Sequence, residues 1–254
     1  MSLTVQGDQL VAFLLASIRI ISWLVVVPPF AARAVPITAK VVLAVGLSLA
    51  VAPGMPSEVP LGTGALIINV LTQVVIGLGM GFVTAMLLGA LAAAGSLIDV
   101  FGGFSLAQGF DPLGMNSNTV FGNFHQMIAT ALLFVSGAHL LVIGGLLKTF
   151  EFLPLGTSPG AAWGPDVFIT AFSMFLVTAV QIALPMIAVL FVADLGLALL
   201  TKVAPQLNAM AVMFPAKIGL TLMLLGLSFP VLPQALDRMV ELSLRAMSAL
   251  SGAG

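Results

Sequence analysis

Hydrophobic residues run through most of the chain in long stretches, which are interrupted by short segments rich in proline and glycine. A membrane-crossing helix needs about 20 apolar residues, and proline ends or kinks a helix. The pattern therefore predicts an all-α protein built from long, kinked hydrophobic helices. Six apolar segments are predicted, over residues 10–27, 37–52, 65–100, 123–149, 166–202 and 205–247. The third is predicted as one very long helix or two abutting helices, and Pro185 is expected to kink the fifth.

Small residues recur every four positions along the third segment, at Gly77, Gly81, Ala85, Gly89 and Ala93. Residues at this spacing share one face of a helix, and small side chains on that face let another helix backbone approach closely. The stripe therefore predicts tight helix packing. We interpret it as an assembly face at which the three glycines admit a neighbouring helix.

Charged residues at three positions lie deep within the apolar segments. A charge at the middle of a bilayer costs about 3 kcal/mol, so Arg19 is expected to face a partner or an aqueous lumen rather than lipid. Asp194 and Lys217 have opposite charges and similar predicted depths. They either neutralise each other across a helical hairpin or have separate partners.

Residues 101–124 interrupt the helical pattern with a long loop. Its five glycines permit conformations closed to other residues, and Pro112 disfavours a helical conformation at Asp111. The loop contains no lysine or arginine, and nine large apolar side chains give it a surface that water would penalise. We predict a structured functional loop whose apolar side chains are buried against other parts of the structure. The alternative is a turn at the membrane interface. The apolar residues are Phe101, Phe104, Leu106, Phe110, Leu113, Met115, Val120, Phe121 and Phe124.

Composition narrows the class of protein. Hydrophobic residues make up 60% of the chain and charged residues 7%, with a mean hydropathy of +1.22, which indicates an integral membrane or membrane-derived helical protein. The net charge of -1 and the lack of a basic run give no basis for nucleic-acid binding. Because cysteine is absent, the chain has neither disulfides nor thiolate sites.

No catalytic, metal or cofactor site is predicted. His125 and His139 would stand about 21 Å apart along one continuous helix, which is too far to share a metal. Gly103-Phe-Ser-Leu106 lacks the second glycine of a serine nucleophile elbow, and neither a phosphate loop nor a dinucleotide fingerprint occurs. Energy for any transport would have to come from partners.

The densest polar cluster lies between the fifth and sixth segments. Pro205 is suited to starting a helix, while Gln206 and Asn208 supply donors and acceptors for backbone groups left open at the break. This cluster runs as Lys202-Val-Ala-Pro-Gln-Leu-Asn208, and Phe214-Pro-Ala-Lys-Ile218 follows it.

These two motifs resemble the signature of the FliR family of flagellar export-gate proteins and their injectisome counterparts. Other landmarks fall in the expected order along nearly the whole chain: Leu97-Ile-Asp99, Asp111-Pro112, Gly137-Ala-His139 and Asp194. The chain also departs from the family pattern. Gln73 stands where glutamate is expected in many members, Ser96 where glutamate often precedes Leu-Ile-Asp, and Met210 where phenylalanine is common.

The resemblance implies a single domain over residues 1–254, acting as a non-enzymatic subunit of the type III protein export gate. Its implied partners are several copies of FliP and FliQ, together with FlhB, FlhA and unfolded export substrates. Its implied location is the bacterial inner membrane within the flagellar basal body. By hydropathy the chain is multi-pass, and the resemblance implies that much of the complex is raised above the bilayer. The helices of such a complex wind into a shallow right-handed helical assembly.

Within that family the loop after the third long helix plugs the closed pore, and here the plug maps onto about residues 104–118. The implied plug residues are Phe104, Gly109, Phe110, Asp111, Pro112, Leu113, Gly114, Met115 and Asn116. The implied signature and assembly residues are Asp99, Asp194, Lys202, Pro205, Gln206, Asn208, Pro215 and Lys217. The glycines suit a compact loop that moves on opening, and three side chains, Phe110, Leu113 and Met115, suit a seal against water and ions.

The competing hypothesis is an independent multi-pass transporter with a central substrate site at Asp194 and Lys217. The absence of comparable repeated halves and the small number of charges weigh against it. Purification discriminates between the two, because a transporter should be a stable, ligand-binding monomer, whereas a gate subunit should behave poorly without its partners.

Overall fold

The computed structural model describes residues 7–51, 62–104, 119–160, 163–203, 209–226 and 228–252. Every regular element in these ranges is a helix, which confirms the all-α prediction. In chain order the helices are α1 (Gly7–Leu24), α2 (Ile37–Val51), α3 (Thr63–Leu88), α4 (Ala90–Gly102), α5 (Val120–Val135), α6 (Ala138–Phe152), α7 (Pro165–Val203), α8 (Ala209–Leu225) and α9 (Leu232–Ser251).

The predicted division into six apolar segments needs correction. The third segment is confirmed as one of its two predicted alternatives, the abutting pair α3 and α4 with Gly89 between them. The fourth was predicted as one continuous helix, but α5 ends at Val135 and Gly137 has a φ of 73°, a left-handed conformation that glycine adopts without steric cost. His125 and His139 therefore lie on different helices, and their predicted separation along one axis does not apply. The sixth segment likewise divides into α8 and α9.

Helices of membrane-spanning length occur at two places in the described chain. Thr63–Leu88 and Pro165–Val203 are long and apolar enough to cross a bilayer, and α5 with α6 adds a third span if that broken pair counts as one. Pro185 lies inside α7, and the kink expected there stays a prediction. The remaining apolar helices in the described ranges are shorter than this.

The chain divides into two compact units. The first comprises Met1–Leu88, Gly137–Phe172 and Val240–Gly254, and the second comprises Gly89–Ser136 and Ser173–Met239. In the first unit α1 packs against both α2 and α3. Its core contains the fully buried side chains of Ile20, Trp23, Ile76 and Met80.

Trp163 ties two further segments into the first unit. Its Nε1 donates a hydrogen bond to the backbone carbonyl of Leu250 at 2.8 Å, and its ring lies where a β-carbon on Gly79 would be. The segment after α6 is thus fixed to α3 and to the end of α9.

The second unit is built on α4, which packs against α5 and, less extensively, against α8. Gly95 on α4 allows the backbone of Phe121 on α5 to come so close that a β-carbon would collide with it. Leu91, Ala94 and Ile98 fill the interface from α4 and are fully buried. A glycine at the point of closest approach therefore sets the α4–α5 spacing.

Both units leave large apolar side chains exposed. Val42 on α2 is 71% exposed, Met127 on α5 is 72% exposed and Val192 on α7 is 67% exposed. Apolar surface on this scale marks contact with lipid or with other protein chains.

Candidate functional site

The predicted plug loop lies partly outside the described residues. Phe104 is described, whereas Gly109, Phe110, Asp111, Pro112, Leu113, Gly114, Met115 and Asn116 all lie outside. The two ends of the loop, the end of α4 and the start of α5, are both described and belong to the second unit.

Asp99 joins these two ends. Its Oδ2 accepts hydrogen bonds from the backbone N–H of Phe121 at 2.8 Å and of Gly122 at 3.2 Å. The first N–H groups of a helix have no partner within the helix, and a negative charge is favourable there. Thr119, the residue before α5, makes no side-chain cap. The carboxylate of Asp99 therefore caps α5 from the neighbouring helix.

Two further contacts hold the same two ends together. The hydroxyls of Ser96 and Thr119 share a hydrogen bond of 2.8 Å. The rings of Phe104 and Phe121 meet edge to face with their centroids 4.9 Å apart, a favourable aromatic geometry. We call Ser96, Asp99, Phe104, Thr119 and Phe121 the loop clasp.

Sequence reasoning found only part of the loop clasp. Asp99 was expected to be important from the family resemblance, but the Ser96 and Thr119 pair was missed. A serine three residues before Asp99 and a threonine before the next helix are weak signals, because both residue types are common at helix ends.

His125 contacts the same turn of α5. Its Nδ1 is 2.9 Å from the carbonyl oxygen of Phe121. Because a carbonyl oxygen only accepts, Nδ1 carries the proton. The side chain is fully buried, so it helps fix the start of α5.

Asp194 and Lys217 contact each other in the second unit. Lys217 Nζ donates to Asp194 Oδ2 at 2.8 Å, and both side chains are partly buried. The structure thus answers the question that the sequence left open, in favour of pairing. An opposite charge at hydrogen-bond distance lowers the cost of placing each residue among apolar neighbours.

Two of the other five signature residues lie within the described part of the chain. Lys202 lies in the last turn of α7 and Pro215 lies inside α8. Pro205, Gln206 and Asn208 lie outside the described residues. Their predicted part in assembly stays a prediction.

Arg19 is fully buried in the first unit, which confirms that it faces protein rather than lipid. Its Nε donates to Gln73 Oε1 at 2.6 Å, and its Nη1 donates to the carbonyl oxygen of Leu153 at 2.9 Å. Its guanidinium carbon lies 4.2 Å from the ring centroid of Phe150. Carbonyl oxygens and an aromatic face stabilise this cation, and no carboxylate within the described ranges forms an ion pair with it.

The glycine stripe packs against a partner other than the predicted one. A β-carbon on Gly77 would collide with the carbonyl oxygen of Arg19, and one on Gly81 would lie 3.3 Å from backbone atoms of Trp23. Tight helix packing at these two glycines is therefore confirmed. The neighbour is α1 of the same chain, which corrects the interpretation of this face as a contact between subunits. Gly89 lies between α3 and α4 instead.

The pattern of landmarks can be compared with known proteins. A sequence profile described as "Bacterial export proteins, family 1" matches residues 10–243, nearly the whole chain. This chain belongs to that family. Relatives within it include the flagellar biosynthetic protein FliR of Pectobacterium carotovorum, 30% identical over 217 residues, which cover 85% of this chain and 83% of the relative.

Two other relatives come from Aquifex aeolicus and Yersinia pestis. The FliR protein of Aquifex aeolicus is 30% identical over 190 residues, covering 74% of this chain and 73% of the relative. The Yop proteins translocation protein T of Yersinia pestis is 27% identical over 128 residues, covering 49% of this chain and 48% of the relative. The chain is thus a membrane component of bacterial type III or flagellar export machinery, in the FliR family.

Proposed function

We propose that this chain is a non-enzymatic gate subunit of the type III protein export apparatus, in which the loop over residues 101–124 closes a protein-conducting pore. FliP and FliQ are its proposed assembly partners, with FlhB and FlhA in contact and unfolded proteins as cargo. The proposed location is the inner membrane at the flagellar basal body, in a shallow right-handed helical assembly of these subunits.

The loop clasp is the observation that carries this proposal. A plug has to be fixed at its base while its tip blocks the pore, because a base that slides would let the tip leave the pore at random. Asp99 holds the first turn of α5 against α4, and the hydrogen bond between Ser96 and Thr119 links the same two segments. Residues 105–118 between these anchors contain apolar side chains and no basic residue, which suits a seal against water and ions.

The exposed apolar surface supports assembly with other subunits. Side chains such as Phe191, Val192 and Leu199 on α7 are each more than half exposed. The nearby Asp194 and Lys217 pair is unsuited to contact with lipid tails, since ionisable groups within a membrane normally face protein or water. A neighbouring subunit at this part of α7 would cover both the apolar side chains and the ion pair.

Replacing Asp99 tests whether the clasp holds the plug. Asp99→Ala removes the acceptor of two buried backbone N–H groups, each worth about 1–3 kcal/mol when left unpaired, so the start of α5 should loosen. We expect raised ion conductance in membranes that contain the complete gate. Asp99→Asn is the matched control, because its amide oxygen still accepts from the same N–H groups and conductance should stay near the wild-type level.

Two outcomes would contradict the proposal. One is wild-type conductance in the Asp99→Ala gate with all partners still co-purifying. The other is loss of the partner subunits from the Asp99→Ala variant, which would make the clasp a scaffold element of the assembly instead of a plug anchor.

A further inference from the structure

A groove separates α6 from the last part of α9 within the first unit. Its volume is about 610 Å³, which lies within the range of about 300–1,000 Å³ that is common for small-ligand sites. Leu140, Leu141 and Leu244 line it with apolar surface, and Leu140 and Leu141 are both more than half exposed. Such a groove is suited to a flexible hydrocarbon chain.

The charged residues that line this groove are both cations, Lys148 on α6 and Arg245 on α9. Lys148 is exposed and forms no ion pair with any described residue. Arg245 uses Nη2 to contact Glu241, and the other guanidinium donors remain for a second acceptor. Neither Glu151 nor Glu241 lines the groove, so the charged side chains that face it are both cations, one of them paired with Glu241.

Two adjacent glycines shape the wall of the groove on α6. Gly145 gives room to Leu244 and Met247 of α9, which occupy the place of a β-carbon. Gly144 has no neighbouring atom within 4 Å of the place of its β-carbon, so it faces open space in the groove. Lys148 follows Gly144 by four residues, on the same face of α6, which places a cation one turn beyond the open apolar part.

We infer that this groove binds a phospholipid with an anionic headgroup, its phosphate between Lys148 and Arg245 and one acyl chain along the leucines of α6. An uncharged amphiphile would leave Lys148 without a counter-charge and the remaining donors of Arg245 without an acceptor. A free inorganic anion would leave the apolar part of the groove in water. A membrane protein meets anionic phospholipids in its own bilayer, and basic residues near the membrane surface attract them.

Native mass spectrometry of the purified export complex tests this inference. The complex is titrated with phosphatidylglycerol or phosphatidylcholine of the same chain length, and the bound lipid is counted. Removing both cations in Lys148→Gln/Arg245→Gln should weaken phosphatidylglycerol binding by about 10- to 30-fold and leave phosphatidylcholine unchanged. Arg238→Gln is the matched control, because this exposed arginine of α9 lies outside the groove.

Filling the groove gives a second variant that does not depend on charge. Gly144→Leu has space for its side chain and should weaken the binding of both lipids, whereas Gly46→Leu, at an open glycine on α2, should leave both unchanged. Equal binding of the two lipids by the wild type would overturn the inference. So would unchanged phosphatidylglycerol binding by Gly144→Leu, or loss of a partner subunit from this variant without any change in lipid binding, since a protein would then occupy the groove.

Discussion

Replacing Gln73 by glutamate tests how the buried charge of Arg19 is stabilised. Gln73 Oε1 accepts from Arg19 Nε, but Arg19 Nη2 and Gln73 Nε2 are buried without a hydrogen-bond partner among the described residues. Nε and Nη2 lie along one edge of the planar guanidinium, and a carboxylate binds such an edge with both oxygens. Gln73→Glu therefore removes an unpaired donor and supplies the missing acceptor in one nearly isosteric change.

The size of the effect follows from these two donors. A buried donor without an acceptor costs about 1–3 kcal/mol, so the two together cost roughly 2–6 kcal/mol. Burying a new carboxylate also costs several kcal/mol, which attraction to the buried guanidinium offsets when the geometry is bidentate. We expect a net gain of about 2 kcal/mol, equivalent to a melting temperature higher by about 4–8 °C for a chain of this length.

Thermal unfolding of the purified complex in detergent measures this gain, with Trp23 as a buried fluorescent reporter one turn from Arg19. Gln73→Leu is the control in the opposite direction, because it takes away the acceptor of Arg19 Nε and should lower the melting temperature. In an Arg19→Met background the benefit of Gln73→Glu should disappear. A lower melting temperature for Gln73→Glu alone, or the same gain with and without Arg19, would refute this account of the pair.

Two further predictions concern the packing of α1 on α3 and the ion pair of Asp194 with Lys217. Gly81→Leu should separate α1 from α3 and destabilise the chain by about 1–3 kcal/mol, because a β-carbon there would lie 3.3 Å from the backbone of Trp23. Gly46→Leu, which meets no neighbour, is the control in the same melting assay. Equal melting temperatures of the two variants would exclude this packing role. Asp194→Asn and Lys217→Met should each impair assembly. The loss of stability in the double variant should be smaller than the sum of the two single losses by about 1–3 kcal/mol. Strict additivity in co-purification and melting would mean that the two side chains act separately.

The sequence predicted features that depend on residue type and spacing. Long apolar stretches predict helices, the cost of a charge in lipid predicts that Arg19 faces away from lipid, and opposite charges at similar depth allow Asp194 and Lys217 to pair. Each of these expectations depends on the large free-energy cost of placing unpaired polar or charged groups among apolar surroundings. The structure agrees with all three.

Features that depend on exact backbone conformation were harder to predict. The break between α5 and α6 depends on the left-handed conformation of Gly137, whereas other glycines, such as Gly77 and Gly95, lie within a helix. Leu153 is separated from Arg19 by 134 residues, and any buried carbonyl oxygen would suit the guanidinium equally well. The pair of Ser96 and Thr119 depends on how two short helices meet. Local pattern contains little information about such contacts.

The most direct test of the proposed gate is to shorten its loop. Deleting residues 109–115 removes Phe110, Leu113 and Met115, the predicted sealing side chains, while both anchors of the loop clasp remain. Ion conductance is then measured in membranes that contain the complete export complex, with co-purification as the control for assembly. We expect an intact complex with strongly raised conductance. Wild-type conductance in an intact complex would contradict the claim that this loop closes the pore.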